Sequence, residues 1–128
     1  MNTATTLLNG ATLTAAAEVA AGAASVDLNA VTANDVVIEV TAVNGSTSPG
    51  NGKSVDVYVG WASTVIGSNI PATIGPNAEK LRVQLSPVGS ETRVVFSPPT
   101  LKKARYAYVW YSHETMDAAV TLTVKVIS

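Results

Sequence analysis

The last quarter of the chain decides its fold. Residues 104–111 read ARYAYVWY, residues 112–117 read SHETMD, and residues 118–127 read AAVTLTVKVI. Two runs rich in β-branched and aromatic residues, separated by a short polar break, predict two antiparallel strands joined as a hairpin. Between Val120 and Val126 valine and leucine alternate with threonine and lysine, which is the period of a strand with one buried face.

The same alternation recurs towards the N-terminus and predicts an all-β protein. Asn9-Gly10 predicts a turn that closes the first strand, and the alanine-rich residues 12–24 are compatible with a weak strand or one short turn. Residues 62–79 contain two glycines and two prolines and predict an irregular excursion. About eight strands indicate an antiparallel β-sandwich or jelly roll, formed by residues 1–128 as one domain, with residues 1–10 as a candidate extended N-terminal arm. Besides the terminal pair, the predicted strands are residues 5–8, 25–28, 34–43, 54–61, 80–85 and 92–96.

Composition limits the classes of function. The chain has 128 residues, of which only 13% are charged, against roughly 25% in a typical soluble domain. A surface so poor in charge favours a subunit packed in an assembly or located outside a cell, although a threonine-rich β protein of any kind would also fit. No cysteine is present, which excludes disulfides and thiolate metal sites.

Charge and hydropathy predict neither a nucleic-acid nor a membrane partner. The net charge is −1, and all eight basic residues lie beyond residue 52, so like subunits could attract each other head to tail. Lys102, Lys103 and Arg105 stand near aromatic residues, but three bases in a chain of negative total charge are too few for nucleic-acid binding. No secretory signal is visible, and no segment approaches the ~20 apolar residues of a membrane span.

The string His113-Glu114-Thr115-Met116-Asp117 superficially resembles a zinc-protease signature. That chemistry needs two ligands one helical turn apart on a rigid face, whereas these residues fall in a predicted strand connection. No Gly-x-Ser-x-Gly elbow and no phosphate-binding glycine loop ahead of a helix is present either. The sequence therefore predicts no catalytic residue, no metal site and no cofactor.

Aromatic side chains are the stronger candidates for a functional surface. Tyr106, Tyr108 and Trp110 share one face of a predicted strand, and Tyr58 lies on the polar face of residues 54–61. Three interpretations are open: a central strand covered on both faces, a contact with another subunit, or a platform that stacks on sugar rings. The candidate interface residues are Tyr58, Tyr106, Tyr108 and Trp110.

Several strand segments together resemble small β-sandwich virion proteins of tailed bacteriophages. The resemblance covers most of the chain, including the closing Tyr-x-Tyr-x-Trp strand, but not residues 50–54 or 62–79. It implies a structural subunit, most plausibly a capsid decoration (cement) protein that stabilises the assembled shell. The segments are TLLNG at 6–10, ASVDL at 24–28, VTAVNGSTSP at 40–49 and VDVYV at 55–59.

What the resemblance implies about partners follows from that role. Such proteins are made in the bacterial host cytoplasm, bind the major capsid protein on the capsid surface, and commonly form homotrimers there. We therefore expect a non-enzymatic protein that acts by contact. The alternative is a carbohydrate- or receptor-binding module on a tail or cell surface, and an enzyme with a pocket around His113 is a third interpretation.

Overall fold

The computed structural model describes residues 3–14 and 17–128, which form two antiparallel sheets of five strands each. The predicted all-β sandwich is confirmed, and the described residues contain no helix. There are ten strands rather than about eight, because two short strands escape a reading based on alternation. They are β1 (Ala4–Leu13), β2 (Ala17–Ala21), β3 (Val26–Asp27), β4 (Asp35–Asn44), β5 (Ser54–Ala62), β6 (Glu79–Gln84), β7 (Thr92–Phe96), β8 (Thr100–Leu101), β9 (Tyr106–His113) and β10 (Val120–Ile127).

Each sheet combines strands that are distant in sequence. The first sheet has the order β1-β10-β4-β7, with β8 beside β4, and the second has the order β2-β9-β5-β6, with β3 beside β9. Every pairing is antiparallel. Consecutive strands therefore often lie in opposite sheets, as β4 and β5 do.

The core lies between the two sheets and is formed by alternate residues of the long strands. Val36, Ile38 and Val40 of β4 are at most 2% exposed. The facing strand β5 contributes Val55 and Val57, each 0% exposed. Removing such side chains from water stabilises the fold by roughly 1.5–3 kcal/mol each, and the predicted inward faces of both strands are confirmed.

The predicted terminal hairpin is wrong. β9 pairs with β2, β3 and β5 in the second sheet, whereas β10 pairs with β1 and β4 in the first. Residues 114–119 therefore cross from one sheet to the other. Stacked sheets lie roughly 10 Å apart and an extended residue spans about 3.4 Å, so a polar break of this length can join two layers as readily as two neighbours.

The crossing segment is held by contacts with the loop that follows β4. Met116 is 6% exposed and closes one end of the core. The backbone N–H of Asp117 donates to the carbonyl of Pro49 at 2.9 Å, and the N–H of Gly45 donates to the carbonyl of Ala119 at 3.2 Å. These hydrogen bonds, formed between residues distant in sequence, favour a crossing between the sheets over a hairpin. A local sequence pattern cannot predict them.

The N-terminal predictions also need correction. Asn9-Gly10 does not close a strand, because β1 continues to Leu13 with register shifts between Thr6 and Leu8 and between Leu8 and Ala11. Gly10 has a φ of 70°, a conformation that glycine adopts readily at a β-bulge. An extended arm is wrong from Ala4 onward, since β1 pairs with β10, and residues 1–2 lie outside the described residues.

The remaining segments agree with the predictions in type and differ in extent. The alanine-rich segment contains the strand β2, which fits the weak-strand alternative, and residues 15–16 lie outside the described residues. The predicted strand at residues 25–28 is reduced to β3. After Pro98-Pro99 the short strand β8 pairs with β4 beyond the residues of β4 that pair with β7. A strand of two residues is too short to show an alternating pattern.

Candidate functional site

The predicted aromatic residues lie together on the outer face of the second sheet. The pairing of β5 with β9 places Tyr58 beside Trp110, Gly60 beside Tyr108 and Ala62 beside Tyr106. Residues paired in this way share one face of a sheet. Tyr106, Tyr108 and Trp110 share one face of β9 as predicted, and this face points away from the core, because Ala107 and Val109 occupy the core side.

Gly60 makes room for two of these rings. A Cβ atom at this position would lie 2.6 Å from Cε2 of Tyr108 and 2.8 Å from Cζ3 of Trp110, far inside van der Waals contact. Without it the rings lie against the backbone of β5. They meet edge to face, with centroids 5.0 Å apart and an interplanar angle of 77°, an arrangement that the charge distribution of aromatic rings favours.

The irregular excursion of residues 63–78 covers part of this face. Nε1 of Trp110 donates a hydrogen bond to the carbonyl of Pro71 at 2.7 Å, and the backbone N–H of Ser25 donates to the carbonyl of Gly67 at 2.9 Å. Trp110 is 1% exposed and Tyr108 is 9% exposed. The interpretation of a central strand covered on both faces therefore describes Trp110, most of whose indole ring is removed from solvent.

Tyr58 and Tyr106 remain partly exposed at the margins of the cover. Nζ of Lys80 lies 5.7 Å from the ring centroid of Tyr58, and the guanidinium of Arg105 lies 5.3 Å from the centroid of Tyr106. Both cations are within the range of favourable interaction with a ring face. As contact residues for a partner, these two tyrosines stay a prediction.

Ion pairs surround the aromatic residues and shift the pKa of two carboxyl groups. Arg82 donates to both carboxylate oxygens of Asp56, at 2.8 and 3.1 Å, and this hydrogen bonding lowers the pKa of Asp56. Arg105 holds Asp27 in the same two-pronged way, at 3.0 Å for each bond, and lowers its pKa. Each of these two carboxylates is thus paired with an arginine.

The other two basic residues beside the rings also have partners within the chain. Nζ of Lys103 lies 2.5 Å from Oε1 of Glu79, and Nζ of Lys102 donates to the carbonyl of Val31 at 2.6 Å. These interactions reduce the charge that the cluster presents to a polyanion. The absence of a nucleic-acid partner nevertheless stays a prediction.

A cleft opens beside the covered rings. Its volume is about 340 Å³, near the lower end of the range for small-molecule sites. It lies between the end of β5, the returning part of the excursion and the segment that leads into β9. Its lining includes Trp61, Asn77, Lys103, Tyr108 and Trp110.

The residues of the zinc-like string are not brought together as ligands. Nδ1 of His113 lies 2.7 Å from the carbonyl oxygen of the adjacent Glu114, at the exposed end of β9. Asp117 lies in the crossing segment, beside Gly50. In the part of the chain that the structure describes, no group of three potential metal-binding side chains occurs.

Among residues 3–14 and 17–128, none covers the exposed side chains on the outer face of the first sheet, and the sequence did not single out this surface. Register places threonine and aliphatic side chains outward across four strands, with Glu39 and Lys125 opposite each other among them. The alternation in β4 predicts that Val43 lies on this side. The sequence of β7 does not predict which of its side chains face outward, because apolar residues occur on both of its faces. We call this surface the bare face; it comprises Thr41, Val43, Thr92, Val94, Phe96, Leu101, Thr121 and Thr123.

The bare face exposes several large apolar side chains, two of which, Phe96 and Leu101, lie opposite Glu39 and Asp35. Val43 is 40% exposed, Val94 47%, Phe96 58% and Leu101 62%. Single exposed apolar residues are ordinary, but contiguous ones mark a surface that another molecule covers. The bare face is therefore a candidate contact surface of a kind distinct from the aromatic residues.

Comparison with known proteins adds no relative: no family model matches the chain, and no curated protein is significantly similar to it. Across residues 3–14 and 17–128 there is no helix long and apolar enough to cross a membrane.

Proposed function

We propose that this chain is a structural subunit of a tailed-bacteriophage virion, of the capsid decoration type, and that it binds the major capsid protein through the bare face. The observation that carries the proposal is the exposure of Val43, Val94 and Phe96 on one uncovered sheet surface. The resemblance of the strand segments to small virion proteins supplies the class of partner. Low total charge supports it as well, since the centres of protein interfaces are depleted in charged residues.

The side chains of the bare face suit a contact surface. Valine and threonine are branched at Cβ and have few rotamers, so burying them against a partner costs little conformational entropy. The hydroxyl groups of Thr41 and Thr123 can donate and accept hydrogen bonds across an interface. A surface that extends over several strands can contact neighbouring capsid subunits at once.

Stabilisation of the shell then follows from mass action. A protein that binds the assembled capsid and not its separated subunits shifts the equilibrium towards the assembled state. The stabilisation grows with the ratio of the concentration of the decoration protein to its dissociation constant. No chemical step is required.

Quantitative mass spectrometry of purified virions of a phage that carries this gene tests the proposal. A decoration protein is expected in a copy number comparable to that of the major capsid protein. A few copies per virion would instead place the chain in the tail, and its absence from virions would refute the proposal.

A pair of variants tests the surface. Val43→Lys places a charge on the bare face, at an exposed position, and is expected to abolish capsid occupancy without unfolding the protein. Gln84→Lys is the matched control, because Gln84 is an exposed strand residue on the outer face of the second sheet. Equal occupancy of the two variants would show that the bare face is not the capsid contact.

The cleft beside Tyr108 favours a second candidate function, a carbohydrate-binding module of a tail or surface protein. Aromatic rings next to amide and amine groups are a combination that binds sugars. The two tryptophans of the chain, Trp61 and Trp110, both line this cleft, so intrinsic fluorescence reports on its occupancy. Saturable quenching by oligosaccharides would support this function, and unchanged emission would exclude it.

A further inference from the structure

Edge strands differ in how well they are protected against pairing with another chain. β6 presents Lys80 and Arg82 on its outer face, and β1 is interrupted by register shifts. Charges and bulges of this kind block edge-to-edge pairing. The pairing of β7 with β4 is regular over all five residues, Arg93 is the only charged residue of β7, and the outward-facing Thr92, Val94 and Phe96 carry no charge.

The backbone of β7 has unused hydrogen-bonding groups along its free edge. The carbonyl of Glu91 accepts from Asn44, and the N–H of Ser97 donates to Ile38, so the odd-numbered residues direct their backbone groups towards β4. Because these directions alternate along an antiparallel strand, Thr92, Val94 and Phe96 direct theirs away from the sheet. All three are exposed, and no other described strand pairs with β7.

We propose that the free edge of β7 is a self-association surface, on which a second copy of this chain docks with its own β7 antiparallel. The two first sheets then join into one continuous sheet across a two-fold axis at Val94. The inference does not depend on the proposed function, because it rests on the edge alone.

Symmetry makes this strand complementary to itself. With Val94 opposite Val94 of the second copy, Thr92 pairs with Phe96, and all three N–H groups and all three carbonyls of each free edge find partners. The inward residues then place Arg93 opposite Val95, so that the single charge of the strand does not meet its own copy. Like charges directly opposite would have opposed the pairing.

Pairing also extends the apolar surface. Val94 packs against its symmetry mate, and the phenyl ring of Phe96 covers Thr92 of the second copy. Such an isologous contact closes on itself and stops at two chains. It differs in this respect from the homotrimer that the resemblance implies, and the mass of the particle in solution distinguishes them.

Cysteine cross-linking tests the register directly, since the chain has no cysteine of its own. In an antiparallel ladder, two residues that exchange both backbone hydrogen bonds have Cα atoms about 5.5 Å apart, and a disulfide can span this distance. Val94→Cys is therefore expected to oxidise to a covalent dimer. Thr92→Cys is the matched control, because its symmetry mate lies four residues away, roughly 14 Å along the strand, and it is expected to stay monomeric. The double variant Thr92→Cys/Phe96→Cys is expected to restore the cross-link.

A proline variant tests the non-covalent pairing. Val94→Pro removes a backbone N–H that faces away from β4, so the fold tolerates it as edge strands do, while the central hydrogen bonds of the pair are lost. Sedimentation is expected to give the wild type at twice the 13.1 kDa chain mass and Val94→Pro at the mass of one chain. The proposal is overturned by a wild type that stays monomeric, by a trimer that Val94→Pro leaves intact, or by equal cross-linking of Val94→Cys and Thr92→Cys.

Discussion

On the outer face of the second sheet, residues 63–78 and their contacts leave Trp110 only 1% exposed, whereas on the bare face of the first sheet Phe96 stays 58% exposed. Trp110 lies on the central strand β9 of one sheet, and Phe96 lies on the edge strand β7 of the other. One of these surfaces has its rings covered, its indole hydrogen-bonded and its carboxylates paired with arginine. The other is rich in threonine and exposes Val43, Val94 and Phe96.

The difference in exposure indicates that the covered aromatic residues contribute to stability, whereas the bare face is available for contact with a partner. Side chains that the chain covers itself contribute to the free energy of folding, because their apolar area leaves water when the protein folds. Side chains that stay exposed contribute little until a partner covers them. We therefore expect equivalent aromatic truncations on the two faces to have opposite consequences.

The largest effect is expected from Trp110→Ala. This change removes a buried ring and leaves the carbonyl of Pro71 without its donor, and truncation of a buried tryptophan costs about 3–5 kcal/mol. Phe96→Ala on the bare face is the matched control, and an exposed truncation of this kind changes stability by at most about 0.5 kcal/mol. Urea unfolding followed by far-UV circular dichroism measures both.

Equal losses in these two variants would contradict the comparison. Such a result would mean that residues 63–78 do not cover Trp110 in solution, or that the bare face is buried by the chain itself. Fluorescence of Trp110 in a Trp61→Phe background distinguishes these cases, because an uncovered indole emits at longer wavelength and is quenched by iodide.

A smaller loss is expected from Gly60→Ala. The added methyl group would lie 2.6 Å from the ring of Tyr108, so the rings must move away from β5, and overpacking of this kind costs about 1–3 kcal/mol. Gly75→Ala is the control on the same face, because its Cβ would meet Trp110 at an ordinary contact distance of 3.8 Å. Thermal unfolding of both variants checks the prediction, and a Gly60→Ala protein as stable as Gly75→Ala would show that the rings do not lie against β5.

Sequence reasoning succeeded where the physics is local. The alternation in β4, β5 and β10 reports which side chains are buried, because one-sided burial imposes a period of two, and the core of the sandwich follows from it. It failed for the terminal hairpin, where the choice between pairing and crossing depends on bonds from Pro49 and Gly45, which are distant in sequence. The strand pattern cannot carry that information.

In the candidate site too, the sequence predicted the features that depend on local pattern and missed those that depend on long-range contacts. Alternation correctly placed Tyr106, Tyr108 and Trp110 on one face of a strand. Nothing in residues 62–79 indicates that they fold back over Trp110, because the cover is held by backbone carbonyls, which every residue has. The bare face was overlooked for a different reason. Val94 and Val95 are equally apolar, and only the register with β4 decides which of them faces out.

The smallest effect is expected from the ion pair beside the aromatic residues. Hydrogen bonds from Arg82 lower the pKa of Asp56 in the folded protein, so the folded state binds this proton less readily than the unfolded state, whose Asp pKa is about 3.9. The pair therefore stabilises the fold above that pH and loses its contribution as the pH falls through the lowered folded pKa. Because Arg82 is largely exposed, with 61% of its side chain accessible, solvent screening keeps this contribution to stability small.

Urea unfolding of the wild type, Asp56→Asn and Arg82→Gln at pH 7 and pH 3 isolates this contribution. Both variants are expected to lose less stability between the two pH values than the wild type, and by similar amounts, because each removes one half of the same interaction. An unchanged pH dependence in Arg82→Gln would assign the lowered pKa of Asp56 to Lys80, whose Nζ lies 4.0 Å from this carboxylate. The electrostatic contribution to stability would then come from a longer ion pair that solvent screens more strongly. A pH dependence that is the same in all three proteins would mean that charge pairing on this face contributes nothing to folding, which would leave the buried rings as the source of its stability.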